Sequence, residues 1–429
     1  MSPTLIGFLI LFWLLLTGFP IGISMLLVGF AGFGLLVDWQ PALAMVGQTI
    51  VKSVTSYHFS VVPMFLLMGN FIVKSGFAQD LYRCAHTFLG HLRGGLAMST
   101  VIACGGFGSV CGSGVATVAT MTQVSVPPMR QFGYSDSLAI ASVCAGGTLG
   151  ILIPPSIPLV IYGLITESDI GKLFVAAIVP GLIGIVGYLI AIQLFVYFKP
   201  QAGPPAERSS WQERIAALKR VWGVLALFVL IMGGIYTGIF TPTEAASFGA
   251  LGAFLLAVMR KSLSWTGFIA VVSDAMRTTV IMFVILIGAM IFANFVTVAN
   301  LPAMLRDFVA SIGVSPLMVI LAIGLIYMVL GCFLESMAMM LITVPVLFPL
   351  VLDAGLDPIW FGIFTVVATE LSMITPPLGL NLFVVKSIVP DVTFRRIYVG
   401  LIPFIFMDIL RLVLIALVPT LTLWLVTFM

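Results

Sequence analysis

Two apolar segments of this sequence each contain a double proline, Pro154-Pro155 within residues 146–156 and Pro376-Pro377 within residues 370–381. Proline lacks a backbone donor and disfavours a helical residue before it, so each segment predicts a broken helix. Unwound backbone at membrane depth survives only where it is buried in protein or lines a cavity. Freed carbonyls can coordinate a cation, and half-helix N-termini can face an anion. A packing kink is the alternative, but two breaks at matching positions favour a binding site.

A short polar tip precedes each broken segment. The first tip is Gly112-Ser113-Gly114, where glycine permits close backbone approach and serine offers a hydroxyl. The second is Glu335-Ser336-Met337. Small residues at a tip are also compatible with tight packing alone. A carboxylate at this depth costs several kcal/mol unless it is paired or hydrated. Glu335 could therefore ligate a cation, carry a proton or be a satisfied structural acid, and Glu370 has the same three interpretations.

The composition identifies the elements that must position these residues. The chain has 429 residues, of which 61% are hydrophobic and 8% charged, whereas soluble domains carry about 25% charged residues. It therefore predicts an all-α polytopic membrane protein whose apolar runs cross the lipid bilayer. The net charge of +3, with no basic stripe interleaved with aromatics, excludes nucleic acid as a partner. The cysteines lack paired spacing and are interpreted as packing residues: Cys84, Cys104, Cys111, Cys144 and Cys332.

The apolar runs divide into crossings, hairpins and interfacial segments. Residues 1–20 lack a basic start and a cleavage site, so they are interpreted as a first helix rather than a signal peptide. Glycines in the middle of 95–128 predict a re-entrant hairpin of two half-helices. Residues 40–58 are mixed and predict a helix lying in the interface. The predicted crossings of the first half are 4–19, 21–37, 60–73, 135–152 and 173–197.

The pattern then starts again at an offset near 222 to 224: Pro20 is matched by Pro242, Phe71 by Phe295, Ser113 by Ser336 and Pro154 by Pro376. Ordered matches at one spacing predict a duplicated unit. Five crossings per unit force the second copy to be upside down, which gives two inverted-topology repeats. The predicted boundaries are a first repeat 1–198 (hairpin 95–128, broken helix 135–165), a cytoplasmic linker 199–220, and a second repeat 221–429 (hairpin 316–350, broken helix 358–388). Interfacial arm helices are expected at 40–58 and 262–279.

The distribution of basic residues tests this topology. Of the 19 Lys and Arg residues, the prediction places 15 on one side; Lys52, Lys172 and Arg306 lie on the other, and Arg411 lies inside the last helix. The positive-inside rule makes the first side cytoplasmic. Both termini are then expected in the periplasm.

An enzymatic function has little support. The histidines His58, His86 and His91 lie in interfacial or loop segments, so neither Ser113 nor Cys111 has a membrane-embedded histidine partner. The sequence has no H-E-x-x-H and no phosphate loop with lysine. No cofactor is expected, and energy must come from an ion gradient or a partner.

Four motifs, at 108–120, 147–156, 240–246 and 374–381, resemble the DctM-type large membrane subunit of tripartite ATP-independent periplasmic (TRAP) transporters. The resemblance covers essentially the whole chain. It implies sodium-coupled uptake of an organic acid across the bacterial inner (cytoplasmic) membrane, delivered by a periplasmic substrate-binding protein of the DctP type. It also implies a small four-helix membrane subunit of the DctQ type, here expected as a separate chain. Hairpins and broken helices would form a transport domain that moves, elevator-like, inside a scaffold.

The resemblance also implies the site. One half would comprise Gly112, Ser113, Gly114, Gly147, Thr148, Gly150, Pro154, Pro155 and Ser156. The other would comprise Glu335, Ser336, Thr375, Pro376, Pro377, Gly379 and Asn381. Sodium is favoured over a proton, because hydroxyl and carbonyl oxygens dominate both halves, and its candidate ligands are Ser113, Thr148, Ser336 and Thr375. The second tip departs from the Gly/Ser richness of the first, so strict symmetry is not expected.

The substrate is not readable from the sequence: C4-dicarboxylates, other organic acids, sulfonates and compatible solutes all stay open. A stand-alone ion-coupled carboxylate carrier or antiporter is the alternative function, and an intramembrane enzyme is a distant third.

Overall fold

The computed structural model describes residues 3–313 and 315–429, which form helices joined by short turns. Helices dominate because a chain in lipid must satisfy its backbone hydrogen bonds within each segment. The all-α fold predicted from the composition is confirmed. Eight helical segments of the described residues are long and apolar enough to cross a membrane.

The first half consists of two short apolar helices, an exposed arm, a crossing, a connecting helix, a helical hairpin, a broken helix and a long closing helix. In chain order these are α1 (Pro3–Leu16), α2 (Ile21–Leu36), α3 (Trp39–Thr55), α4 (Val61–Lys74), α5 (Phe77–Leu89), α6 (Gly95–Cys111), α7 (Gly114–Gln131), α8 (Asp136–Leu152), α9 (Ile157–Thr166) and α10 (Ile170–Phe198). Short 3-10 helices lie at Tyr57–Ser60 and Pro200–Ala202.

The second half has the same order of hairpin, broken helix and long closing helix. Its helices are α11 (Trp211–Tyr236), α12 (Pro242–Met259), α13 (Trp265–Val298), α14 (Leu301–Ile312), α15 (Pro316–Leu330), α16 (Ser336–Asp353), α17 (Pro358–Ser372), α18 (Leu380–Ile388), α19 (Phe394–Leu417) and α20 (Thr420–Leu423), followed by a 3-10 helix at Leu425–Phe428.

Three details differ from the sequence prediction. The second arm, expected at 262–279, is not a separate helix: α13 runs without interruption for 34 residues, about 51 Å at 1.5 Å per residue. In the first half the extended backbone at Ser56 separates the arm from α4, and no such break occurs in α13. The predicted linker 199–220 is helical from Trp211, where Ser210 and Glu213 form a capping box. The connecting helices α5 and α14 were not predicted.

The outer helices, α1–α4 and α11–α13, pack closely through small residues. A Cβ on Gly29 of α2 would lie 2.7 Å from the Phe292 Cα of α13, and one on Gly22 would lie 2.7 Å from the Val284 carbonyl oxygen. Helix α12 packs against α4. Such close backbone approach is the usual basis of helix association in lipid.

The central bundle comprises α6–α10 and α15–α19, and its two halves interlock. Helix α9 of the first broken segment packs against α16 of the second hairpin, while α18 of the second broken segment packs against α7 of the first hairpin. The closing helices α10 and α19 pack on each other and on both broken segments. This exchange of partners makes the bundle a single packed unit.

Basic residues predicted to share one side of the membrane also lie together. The Arg260 guanidinium is 2.5 Å from the Asp80 carboxylate and donates to the backbone carbonyl of Arg220. The non-helical linker is fixed at the same end, because the Gly94 N–H donates to the Gly203 carbonyl at 2.9 Å. The first two contacts bring Arg260 close to Arg220 and Asp80. Which compartment these residues face stays a prediction.

Candidate functional site

The first break separates α8 from α9 at residues 153–156. The Pro154–Pro155 peptide bond is cis, and both prolines are buried. Ser156 begins the second half-helix: its hydroxyl accepts from the Leu159 N–H at 3.4 Å and donates to the Ile151 carbonyl. The serine thereby caps α9 and also bonds the preceding helix across the break.

The second break separates α17 from α18 and is more open, since Pro376 and Pro377 are exposed. Their peptide bond is also cis. Thr375 donates its hydroxyl to the Leu371 carbonyl at 2.5 Å, and Gly379 has φ +63°, a conformation that favours glycine. Tyr398 of α19 donates to the Pro377 carbonyl at 2.8 Å, so one freed carbonyl already has a donor.

The first hairpin tip packs directly onto the first break. Gly112 has φ +66°, and a Cβ there would lie 3.1 Å from Ile157 Cγ1 at the start of α9. Ser113 caps α7 by accepting from the Ala116 N–H at 3.4 Å. A Cβ on Gly114 would lie 3.3 Å from the Gly147 carbonyl oxygen of α8. Only glycine or another small residue permits this approach.

Glycines also bring the hairpin and α8 together at Gly108 of α6, one helical turn before the tip. A Cβ on Gly150 would lie 2.8 Å from the Gly108 Cα of α6. Thr148, on the same helix, is fully buried; its hydroxyl donates to the Ala145 carbonyl at 2.8 Å and lies 3.1 Å from the Tyr188 hydroxyl. The structure thus gathers tip and break residues of the first half, while the Thr148 hydroxyl contacts α10.

Glu335 caps the second hairpin. It is the N-cap of α16, where its carboxylate accepts from the Met337 N–H at 3.1 Å and from the Ser336 hydroxyl at 2.8 Å. The tip also approaches the second break, with Cys332 Sγ 4.0 Å from the Pro376 carbonyl oxygen. The Glu335 carboxylate is therefore hydrogen-bonded locally at a helix N-terminus, and its role among the three left open by the sequence stays a prediction.

The two halves of the site meet through Asn381. Its Nδ2 donates to the Cys144 carbonyl of α8 at 3.0 Å, and its side chain is fully buried. Among the described residues nothing hydrogen-bonds to its Oδ1. An amide oxygen without a donor at the junction of both broken helices is available to a ligand.

Sequence reasoning missed a buried polar cluster next to the site. Arg411 of α19 lies 2.5 Å from the Glu370 carboxylate of α17 and 2.8 Å from Asp408 of its own helix. Tyr188 of α10 donates to Asp408 at 2.5 Å. The signal was present in the sequence, since Asp408 and Arg411 are ionisable residues three positions apart in an apolar helix.

A cleft of about 790 Å³ lies between part of the outer helices and the bundle, which elsewhere contact each other directly through α4 and α6 and through α13 and α16. Lys52 and His58 line it from the arm side, Asn294 from α13, and Glu167 and Phe348 from the bundle. It lies away from the tips, so it is a gap between two packed bodies rather than part of the tip-and-break site.

Comparison with known proteins agrees with this architecture. The chain is 39% identical over 338 residues to the C4-dicarboxylate TRAP transporter large permease protein DctM of Pseudomonas aeruginosa, covering 78% of each chain. It is 33% identical to the sialic acid TRAP transporter large permease protein SiaM of Vibrio cholerae, covering 96% of this chain and 95% of that one. The crystal structure of the Alcanivorax borkumensis YdaH transporter, at 14% identity, shares the fold with a TM-score of 0.68 over 98% of each chain.

Residues 8–421 match the family described as tripartite ATP-independent periplasmic transporter, DctM component. Both relatives named above are large permease subunits. The chain is therefore a multi-pass membrane protein that belongs to the DctM component family, the large permease subunits of tripartite ATP-independent periplasmic transporters.

Proposed function

We propose that this chain is the translocating subunit of a sodium-coupled secondary importer that takes up an organic acid in the bacterial inner membrane. The observation that carries the proposal is the pairing of each hairpin tip with a broken helix, as where Gly112 approaches Ile157. Sites built from discontinuous helices are a recurring plan for coupled ion and substrate binding. The membership in this family of transporter components indicates that the function is transport.

The coupling cation would bind where half-helix C-termini and hydroxyl oxygens converge. In the first half α6 ends at Cys111 and Ser113 lies beside that end, whereas the Thr148 hydroxyl faces Tyr188 of α10 and is not available there. The C-terminal end of a helix carries a partial negative charge that favours a cation. In the second half the corresponding oxygens belong to Ser336 and Thr375. Sodium suits this set, because hard cations prefer oxygen ligands and the hydroxyls need no deprotonation.

The substrate would lie between the half-helix N-termini. Helices α7, α9, α16 and α18 all begin at a tip or a break, and their N-termini favour negative charge. An organic acid fits that potential. The two relatives are named as transporters of C4-dicarboxylates and of sialic acid, which belong to this class. Because the binding protein would select the substrate, the membrane site would need to recognise mainly its carboxylate group.

Transport would occur by movement of the central bundle against the outer helices. The interlocked packing of α9 with α16 and of α18 with α7 favours rigid-body motion over separate opening of each half. The 790 Å³ cleft between the two bodies leaves space for such a displacement. Elevator-type alternating access follows from inverted halves around one site.

Two partners complete the proposal, in keeping with the word tripartite in the family description. One is a small membrane subunit of the DctQ type on a separate chain, and the other is a periplasmic binding protein of the DctP type. Many exposed apolar side chains of the outer helices, among them Leu225 and Val229 of α11, provide surface for lipid or for the small subunit.

Reconstitution tests the proposal. Proteoliposomes with this chain alone should show little uptake of a radiolabelled organic acid under an inward sodium gradient. Adding the small subunit and the loaded binding protein should restore uptake. Equal uptake by the chain alone would instead support a stand-alone carrier.

A further inference from the structure

The polar cluster around Arg411 lies at the crossing of four bundle helices. Glu370 comes from α17, Asp408 and Arg411 from α19, Tyr188 from α10 and Thr148 from α8. The side chains of Glu370, Asp408 and Arg411 are at most 2% exposed. The cluster therefore has no direct contact with bulk solvent.

The space for this cluster is built into the neighbouring helix. A Cβ on Gly184 of α10 would lie 3.2 Å from Arg411 Cζ and 2.9 Å from Leu149 Cδ2. The absence of a side chain at Gly184 thus lets the guanidinium fit between α10 and α8. A buried arginine accommodated in this way is a specific structural feature rather than an accident of packing.

The two carboxylates have different environments. Asp408 accepts from the Tyr188 hydroxyl at 2.5 Å on Oδ2, and its Oδ1 makes an ion-pair contact of 2.8 Å with Arg411 Nη2 without a hydrogen bond. Glu370 contacts the same Nη2 at 2.5 Å through Oε2 only. Its Oε1 is buried and has no hydrogen-bond partner among the described residues.

The charges of the cluster do not balance when every group is ionised. Two carboxylates and one guanidinium sum to −2 + 1 = −1. The ionisable groups that interact with Glu370 are Arg411 and Asp408 from α19 and Tyr188 from α10, while α8 contributes its backbone at Leu152. An uncompensated negative charge at this depth carries a large desolvation cost. One further positive charge is needed.

We propose that the cluster is a proton-binding site and that the proton resides on Glu370. Both oxygens of Asp408 lie within 2.8 Å of a donor atom of Tyr188 or Arg411, whereas Oε1 of Glu370 has no hydrogen-bond partner among the described residues and no ion-pair contact. A proton needs only that oxygen. Sodium would need several oxygen ligands at one point, and the other carboxylate oxygens of the cluster already contact Arg411 or Tyr188. The site lies in the bundle interior, separate from the tips where the coupling sodium is proposed.

This inference goes beyond the proposed function and does not depend on sodium coupling. The folded chain would retain a proton that a glutamate in the unfolded chain releases at neutral pH. Because the folded state binds more protons, its stability falls as pH rises. The bundle would therefore carry a neutral glutamic acid through its transport cycle.

Thermal unfolding of the purified full chain in detergent, followed from neutral to alkaline pH, tests the site. Glu370→Gln replaces a neutral acid by a neutral amide of the same shape, so the melting temperature at neutral pH should stay within about two degrees of wild type. The alkaline loss of stability should be reduced. Asp408→Asn removes a true counter-charge of Arg411 and should lower the melting temperature by several degrees.

Equal destabilisation by the two variants, or failure of Glu370→Gln to fold, would overturn the proposal, because it would mean that Glu370 is ionised. Infrared spectroscopy supplies a second readout: the carboxylic-acid C=O stretch of the wild type should vanish in Glu370→Gln and persist in the matched control Glu335→Gln. A sodium-specific stabilisation of the wild type, relative to N-methylglucamine chloride, that disappears in Glu370→Gln would assign the site to a metal cation instead.

Discussion

Asn381 donates a hydrogen bond to the backbone carbonyl of Cys144 at 3.0 Å, although the two residues lie 237 positions apart. Cys144 belongs to the first broken segment and Asn381 to the second. Both side chains are fully buried. This bond joins the middle of α8 to the start of α18, so a displacement of one half is transmitted to the other.

The first prediction concerns this junction. Asn381→Ala removes a second donor from the Cys144 carbonyl, which already accepts within α8, and the loss of one such buried hydrogen bond costs about 0.5–1.5 kcal/mol. We expect a lower melting temperature and loss of uptake. Asn294→Ala, which changes a residue lining the cleft on an outer helix, is the matched control and should retain both. Wild-type uptake by Asn381→Ala would show that the junction is dispensable.

The second prediction concerns the cation ligands. Ser113→Ala and Thr375→Ala each remove one hydroxyl oxygen at a tip or break. Each should raise the sodium concentration needed for half-maximal uptake, measured at fixed substrate. Ser387→Ala removes an exposed hydroxyl on α18 and should leave that concentration unchanged. Glu335→Gln should also keep sodium dependence, because its side chain caps α16. An unchanged sodium requirement in both Ser113→Ala and Thr375→Ala would remove these hydroxyls from the site.

The third prediction concerns rigid-body movement. Lys52 and Glu167 line the same cleft, one from the arm and one from the bundle. Cysteines at both positions in an otherwise cysteine-free chain, joined by a bifunctional reagent, should trap one state and stop uptake. A control crosslink between Glu167→Cys and Phe348→Cys joins α9 to α16 within the bundle and should preserve uptake. Transport by the Lys52–Glu167 crosslinked protein would contradict a moving bundle.

The fourth prediction concerns topology. Single cysteines at Arg208 and Arg395 should be labelled only after the inner membrane is permeabilised, whereas a cysteine at Arg306 should be labelled in spheroplasts by an impermeant maleimide. The reason is the predicted asymmetry of 15 basic residues on one side against 3 on the other. Labelling of Arg208 and Arg306 from the same side would exclude inverted repeats.

The breaks and hairpins could be predicted from the sequence because their signals are local. The double prolines at 154–155 and 376–377 interrupt their helices, so 135–165 and 358–388 closely match α8–α9 and α17–α18, whereas Pro127-Pro128 lies within α7 without ending it. Glycine runs similarly located the first hairpin tip at Gly112. Because the two halves match at a nearly constant offset, each prediction for the first half gave a corresponding prediction for the second half.

The buried cluster could not be predicted in the same way. Glu370 and Arg411 lie 41 positions apart, and α17 and α19 are apolar on most faces, so their sequences do not fix which side of each helix faces the other. The continuity of α13 was missed for a related reason: a change from polar to apolar composition near residue 280 suggests a boundary, but without Gly or Pro there the helix continues.

The central claim is that a sodium gradient drives uptake through this chain and its partners. The most direct test is uptake of the loaded binding protein's substrate into proteoliposomes at fixed pH, with the inward sodium gradient present or collapsed by equal sodium on both sides. We predict that accumulation requires the gradient and ceases when it is collapsed, with potassium unable to substitute. Undiminished accumulation without a sodium gradient, driven by a proton gradient alone, would contradict sodium coupling.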